Sequence, residues 1–103
     1  MDISEMTEAV ESVSQGYADK FGIERTDHWF ILKLQEEVGE LVQAYMNLAG
    51  MGRERGLSDP EKQQALENES ADVLAHVLLL AKNHHVDLQA AVEHKWLSRA
   101  ESR

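Results

Sequence analysis

The sequence predicts an all-α fold of about four helices, and three observations carry that prediction. Apolar residues recur at spacings of three and four, runs of alternating Val, Ile, Thr and aromatic residues are absent, and capping residues punctuate the chain at helical intervals. The first helix is expected over residues 5–20, with Met6, Val10, Val13 and Tyr17 on one stripe, and it stops near Phe21-Gly22. The second, over 28–50, starts after Thr26-Asp27 and carries Phe30, Leu34, Val38, Leu41, Tyr45 and Leu48. The third spans 59–84, with Leu66, Ser70, Val73, Val77 and Leu80 as its stripe. Ser58 and Glu61 fit a capping box there, and the only proline, Pro60, falls in the first turn, where a missing N–H costs nothing. A fourth helix, over 88–100, follows Asp87 as N-cap. Between the second and third, "AGMGRERGLS" is the one glycine-rich stretch and reads as a mobile loop, so residues 1–103 read as one domain.

Composition narrows the function. A chain of 103 residues buries only about 60–70% of the surface its unfolded form exposes, so a metal ion or a partner subunit is an expected helper. Without cysteine there are no disulfides and no thiolate metal sites. No apolar run approaches the roughly 18 residues of a membrane span. The start "MDISEMTEAVESV" lacks the basic and apolar regions of a signal peptide, and a cytoplasmic location is expected. The net charge of −9 argues against unaided binding to duplex nucleic acid or to an anionic membrane, both of which ask for a basic face. A small anionic substrate can still bind where metal ions supply positive charge.

Four carboxylates break the helical pattern. At 100° per residue, Glu37 falls roughly 60° and Glu40 roughly 120° from the centre of their apolar stripe. Glu69 and Asp72 take the same offsets on the third helix. Two acids three residues apart share a helix face and repel each other, so a cation is the obvious compensation. The match extends further: Glu37 and Glu69, Glu40 and Asp72, Leu41 and Val73, Leu48 and Leu80, and Ala49 and Ala81 are each 32 positions apart, which suggests a helix-level repeat, with chance over so few residues as the alternative reading. If the two helices pack antiparallel, the four acids converge on one patch whose hard oxygen ligands suit Mg²⁺ or Mn²⁺. A solvated acidic face is the alternative reading.

The segments "KLQEEVGELVQAY" and "ENESADVLAHVLLLAKNHHVDLQAAVEHKW" resemble the MazG-type all-α nucleoside triphosphate pyrophosphatases, whose signature is E-x-x-E, a spacer, then E-x-x-D. The resemblance covers roughly residues 28–99. It implies a helical module that dimerises into a larger bundle, sometimes as a dimer of dimers. It also implies Mg²⁺-dependent hydrolysis of a nucleoside triphosphate to a monophosphate and pyrophosphate, with nucleotide-pool house-cleaning as the corresponding expectation. By position, the implied metal ligands are Glu37, Glu40, Glu69 and Asp72. The stretch "ESADVLAHVLLL" is also similar to phosphoribosyl-ATP pyrophosphatase, whereas Val-Gly between the first two acids favours the MazG side.

Other residues are candidates around that patch. Glu36, four residues before Glu40, is a candidate outer group or general base. Lys33 lies one turn before Glu37, and Lys95 and Arg99 share a face of the fourth helix, where similar proteins often carry basic residues; all three are candidates for phosphate contact. Arg53 and Arg55 are loop candidates for closing over a substrate. His76 follows Asp72 by one turn and is a candidate to orient a ligand or touch phosphate, while His84, His85 and His94 read as helix-end residues. Trp29, Phe30 and Trp96 are candidates for stacking on a base, with core or dimer interface as the alternative. No Glu-x-x-His occurs, which removes the usual di-iron motif. A non-enzymatic helical interaction protein is the competing class, but it has no need of a repeated acid pair at a fixed offset from the core.

Overall fold

Four short polar side chains start the helices. Asp2, Thr26, Ser58 and Asp87 accept hydrogen bonds from the backbone N–H groups of Glu5, Trp29, Glu61 and Ala90, satisfying donors that a helix end leaves orphaned. The computed structural model describes residues 1–101. Behind the caps run α1 (Ile3–Phe21), α2 (Asp27–Leu48), α3 (Asp59–Asn83) and α4 (Leu88–Val92). The last continues through a π-helical turn, Glu93–Leu97, into α5 (Ser98–Glu101). No strand occurs among the described residues. The predicted capping box at Ser58 is complete, with Glu61 returning the bond to the Ser58 N–H at 2.9 Å. Gly22 ends α1 at φ 65°, in the left-handed region that a β-carbon disfavours.

Helices α2 and α3 form an antiparallel hairpin, and the side-chain amide of Asn83 donates to Asp27 at 3.0 Å where the end of one meets the start of the other. On α2 the inward positions are Phe30, Leu34, Glu37, Leu41, Ala44 and Leu48, alternating steps of four and three as in a coiled-coil seam. Glu37 therefore sits in the seam itself, not about 60° to one side of it. Ala44 takes the place expected for Tyr45, which is 55% exposed. On α3, Ser70 is exposed, its hydroxyl donating to the Leu66 carbonyl at 2.7 Å, and Glu69 turns inward instead. The helix-level repeat extends to the caps, because Thr26 and Ser58 are again 32 positions apart. Two antiparallel helices with the same internal spacing are related by a local two-fold axis across the hairpin.

Helix α1 lies on α3 through a face of small and polar residues. Thr7, Glu11, Ser14 and Ala18 turn inward, Ala18 is buried, and Glu8 meets Lys82 at 2.6 Å. The bulky stripe is rotated partly outward: Val10 stays half-buried, but Val13 is 74% and Tyr17 60% exposed. A clamp explains the rotation. Arg25, in the connection to α2, grips both oxygens of Glu11 at 2.8 Å, the Ser14 hydroxyl at 3.1 Å and the Gln15 side chain, and stacks 5.2 Å over the Phe30 ring. Its guanidinium holds the Glu11 carboxyl below the usual carboxylate range.

The fourth helical segment departs from its expected form. Instead of one α-helix it widens at Glu93–Leu97, where the Ser98 N–H reaches the Glu93 carbonyl five residues back. His94 thus lies inside the π turn rather than at a helix end. Every residue from Gln89 to Arg99 is exposed, and the segment makes no extended contact with α1, α2 or α3. The radius of gyration, 16.4 Å, exceeds the roughly 13 Å of a compact chain this long.

Candidate active site

The local two-fold brings the acids together. One carboxylate oxygen from each of Glu37, Glu40, Glu69 and Asp72 lies within 4.8 Å of the others. The antiparallel register sets Glu37 beside Asp72 and Glu40 beside Glu69, and their fields are mutual. Glu37 is only 9% exposed. Burial first, then the Glu40 and Asp72 carboxylates, push its carboxyl up to about 7, against which Lys33 pulls the other way. Glu69 is raised for the same reasons, desolvation leading and Glu40 and Asp72 following.

Two acceptors in this cluster have no partner: Oε2 of Glu37 and Oε2 of Glu69 are buried without a hydrogen bond. A buried polar atom left unpaired costs about 1–3 kcal/mol, more when charged. Placing two of them in one acid patch fits a hard divalent cation, which takes oxygen ligands and would satisfy both.

Beside the acids runs an open groove of ≈ 630 Å³ between α1 and the hairpin. Glu37 and Asp72 form part of its wall, so groove and acid patch are continuous. The outward-turned Val13 and Tyr17 line it opposite Trp29, Lys33 and His76. The Trp29 ring meets His76 at 6.0 Å and Phe30 at 5.0 Å, edge to face in both cases. His76 Nδ1 is a third buried atom without a partner. Burial, reinforced by Lys33, lowers the His76 pKa, while Asp72 and Glu36 oppose the shift.

The remaining sequence candidates fall into two groups. Lys33 lines the groove and meets Glu36 at 3.3 Å, which holds Glu36 at the edge of the acid cluster rather than inside it. Phe30 belongs to the core at 3% exposure. Lys95, Trp96 and Arg99 stand on the exposed fourth segment, apart from the cavities that the acids line. Arg53 and Arg55 line a separate small pocket with Asn47 and Lys62. Sequence reasoning missed the groove and the Arg25 clamp that shapes it. The buried position of Glu37 was recoverable from Ala44, seven residues on, had a small side chain been counted in the stripe.

Fold and site define an all-α enzyme whose facing carboxylates suit phosphate chemistry assisted by a divalent cation. The model of the MazG nucleotide pyrophosphohydrolase domain matches residues 25–102, from the clamp arginine through the fourth segment. The chain belongs to this family and is a hydrolase acting on nucleotide phosphoric anhydrides. No curated protein matches it.

Proposed function

We propose that the protein is a single-domain, Mg²⁺-dependent nucleoside triphosphate pyrophosphohydrolase, converting a (deoxy)nucleoside triphosphate and water to the monophosphate and pyrophosphate. Its role is house-cleaning of the cytoplasmic nucleotide pool, as a homodimer or a dimer of dimers. The carrying observation is the pair of unpartnered buried oxygens on Glu37 and Glu69 within the four-acid cluster.

Glu37, Glu40, Glu69 and Asp72 hold the Mg²⁺, with Mn²⁺ as a substitute. When bound, the ion neutralises the phosphate chain, acidifies water and stabilises departing pyrophosphate. The chain's own residues do the rest. Glu36, oriented by Lys33, accepts the proton of the water that attacks the α-phosphorus, and the α–β anhydride bond breaks as pyrophosphate leaves. Lys33 also faces the groove, where it meets a phosphate oxygen. Trp29 offers its ring to the base, and His76 offers Nδ1, its unsatisfied atom, to the nucleoside.

The test is product identity. Incubated with Mg²⁺ and a panel of canonical and modified nucleoside triphosphates, together with phosphoribosyl-ATP, the protein should release pyrophosphate as its first phosphorus product, seen by ³¹P spectroscopy. Early orthophosphate with a nucleoside diphosphate would overturn the assignment. The panel also ranks base and sugar preference.

A further inference from the structure

In a chain with 19 acidic and 10 basic residues, a cation without a carboxylate partner asks for an explanation. Arg25, Lys33 and Lys82 each pair with a glutamate. Arg53 and Arg55, in the connection between α2 and α3, have no hydrogen-bond or ion-pair partner among the described residues. Both line a pocket of ≈ 210 Å³ together with Asn47, Glu54 and Lys62. The Lys62 side chain is only 16% exposed, and its ammonium meets Glu54 loosely, at 3.9 Å. The other oxygen of Glu54 is engaged by the Gly56 N–H at 2.9 Å. Three cations therefore share a small pocket with one carboxylate, and the summed field favours an anion there.

Position identifies the anion. The register that sets Glu37 beside Asp72 and Glu40 beside Glu69 also sets Asn47 beside Lys62. Seven residues return a helix to nearly the same face, so Asn47 and Lys62 stand about 10.5 Å beyond Glu40 and Glu69 on the acid side of the hairpin. The connection folds back along that stretch. A β-carbon on Gly52 would lie 3.1 Å from Oδ1 of Asn47 and 3.5 Å from Nε2 of Gln43, one turn past Glu40, and glycine gives the chain room for that approach. On the opposite side of the acids the same register sets Lys33 beside His76, in the groove. Groove, acids and basic pocket thus follow one another along the hairpin.

We propose that Arg53, Arg55 and Lys62 hold the pyrophosphate end of the substrate, an assignment that rests on the pyrophosphohydrolase reading of the acids and names what grips the leaving half. The β- and γ-phosphates lie there before cleavage, and free pyrophosphate after it. The order along the hairpin is the order within a nucleoside triphosphate: base and sugar in the groove, the α-phosphorus at the acids, the two departing phosphates beyond. Each arginine fork can meet two phosphate oxygens at once. As the α–β bond breaks, its electron pair stays on the bridging oxygen of the pyrophosphate, and cations on that side stabilise the charge that develops.

Calorimetry with inorganic pyrophosphate in chelator tests the pocket without metal or turnover. Wild type and Glu40→Gln should both bind it, and rising salt should weaken the binding. Arg55→Ala, a change at an exposed residue outside the helices, should bind roughly 10- to 100-fold more weakly. No binding by wild type, or equal binding by Arg55→Ala, overturns the site. Kinetics with Mg²⁺ tests its assignment to the substrate's tail. In Arg55→Ala, kcat/KM for a triphosphate and the potency of pyrophosphate as an inhibitor should fall together, with Mn²⁺ affinity unchanged. Weaker pyrophosphate inhibition at unchanged kcat/KM marks a separate site for the free anion and overturns the proposal. Arg55-dependent pyrophosphate binding by a protein that turns over no nucleotide upholds the pocket as a diphosphate site and overturns the enzymatic reading instead.

Discussion

Replacing Glu37 with Gln should stabilise the metal-free protein at pH 8. Glu37 titrates near 4.5 when exposed and is pushed to about 7 in the fold, by burial and by the carboxylates around it. At 1.36 kcal/mol per pKa unit, ionised Glu37 destabilises the folded state by up to about 3 kcal/mol. Because the folded value is the higher one, this group's stabilising contribution is fully present below about pH 4.5 and is lost as pH rises through about 7. Glutamine has the same shape and does not ionise. Part of the repulsion is shared with Glu40 and Asp72, so a gain of about 2 kcal/mol is expected, worth about 8–16 °C in thermal midpoint for a domain of this size. Calorimetric melts at pH 5 and pH 8, with chelator and with excess Mg²⁺, read it out. At pH 5 Glu11, held low by Arg25, stays ionised and does not obscure the comparison. Variant and wild type should differ little at pH 5, the variant should lead at pH 8 in chelator, and Mg²⁺ should favour wild type. A Glu37→Gln protein that melts below wild type at pH 8 in chelator would refute the idea that the cluster stores repulsion for a cation to relieve.

Further outcomes follow from the same geometry. Glu40→Gln and Asp72→Asn should each reduce hydrolysis to background with the helical signal intact by circular dichroism; full turnover in either removes it from the ligand set. Chelator should abolish activity and Mg²⁺ or Mn²⁺ restore it, whereas Ca²⁺, larger and looser in geometry, should bind calorimetrically yet support little turnover. Arg25→Ala breaks the charged hydrogen bonds to Glu11 and should lower stability by about 1.5–3 kcal/mol in urea titrations. Trp29→Ala should raise KM by roughly 5- to 150-fold, the equivalent of about 1–3 kcal/mol of base stacking, while Mn²⁺ affinity stays unchanged.

What the sequence reveals here depends on how local the physics is. Caps act over three residues, so Thr26, Ser58 and Asp87 announce their helices, and the spacing of the four acids survives folding because two long helices preserve it. The side of α1 that packs is not local. It is decided by Arg25 reaching back 14 residues to Glu11, and a pattern based on bulky side chains selects Val13 and Tyr17 when the fold buries Ala18. The groove combines α1 with the hairpin, so neither periodicity nor motif spacing outlines it. The π turn also escapes, because one widened turn leaves apolar spacing almost unchanged.

The local two-fold has a consequence for how a substrate orients. A cation near the axis meets Glu37 and Glu40 from one helix and Glu69 and Asp72 from the other, in nearly equivalent positions, whereas a nucleotide has a head and a tail. The acids alone therefore do not choose its direction. The choice falls to positions where the repeat is broken: Lys33 corresponds to Ala65, and His76 to Ala44. One end of the patch thus offers charge and a ring nitrogen, while the other offers two methyl groups. Introducing Lys at position 65 would make the ends more alike, and a substrate that had one way to lie would then have two.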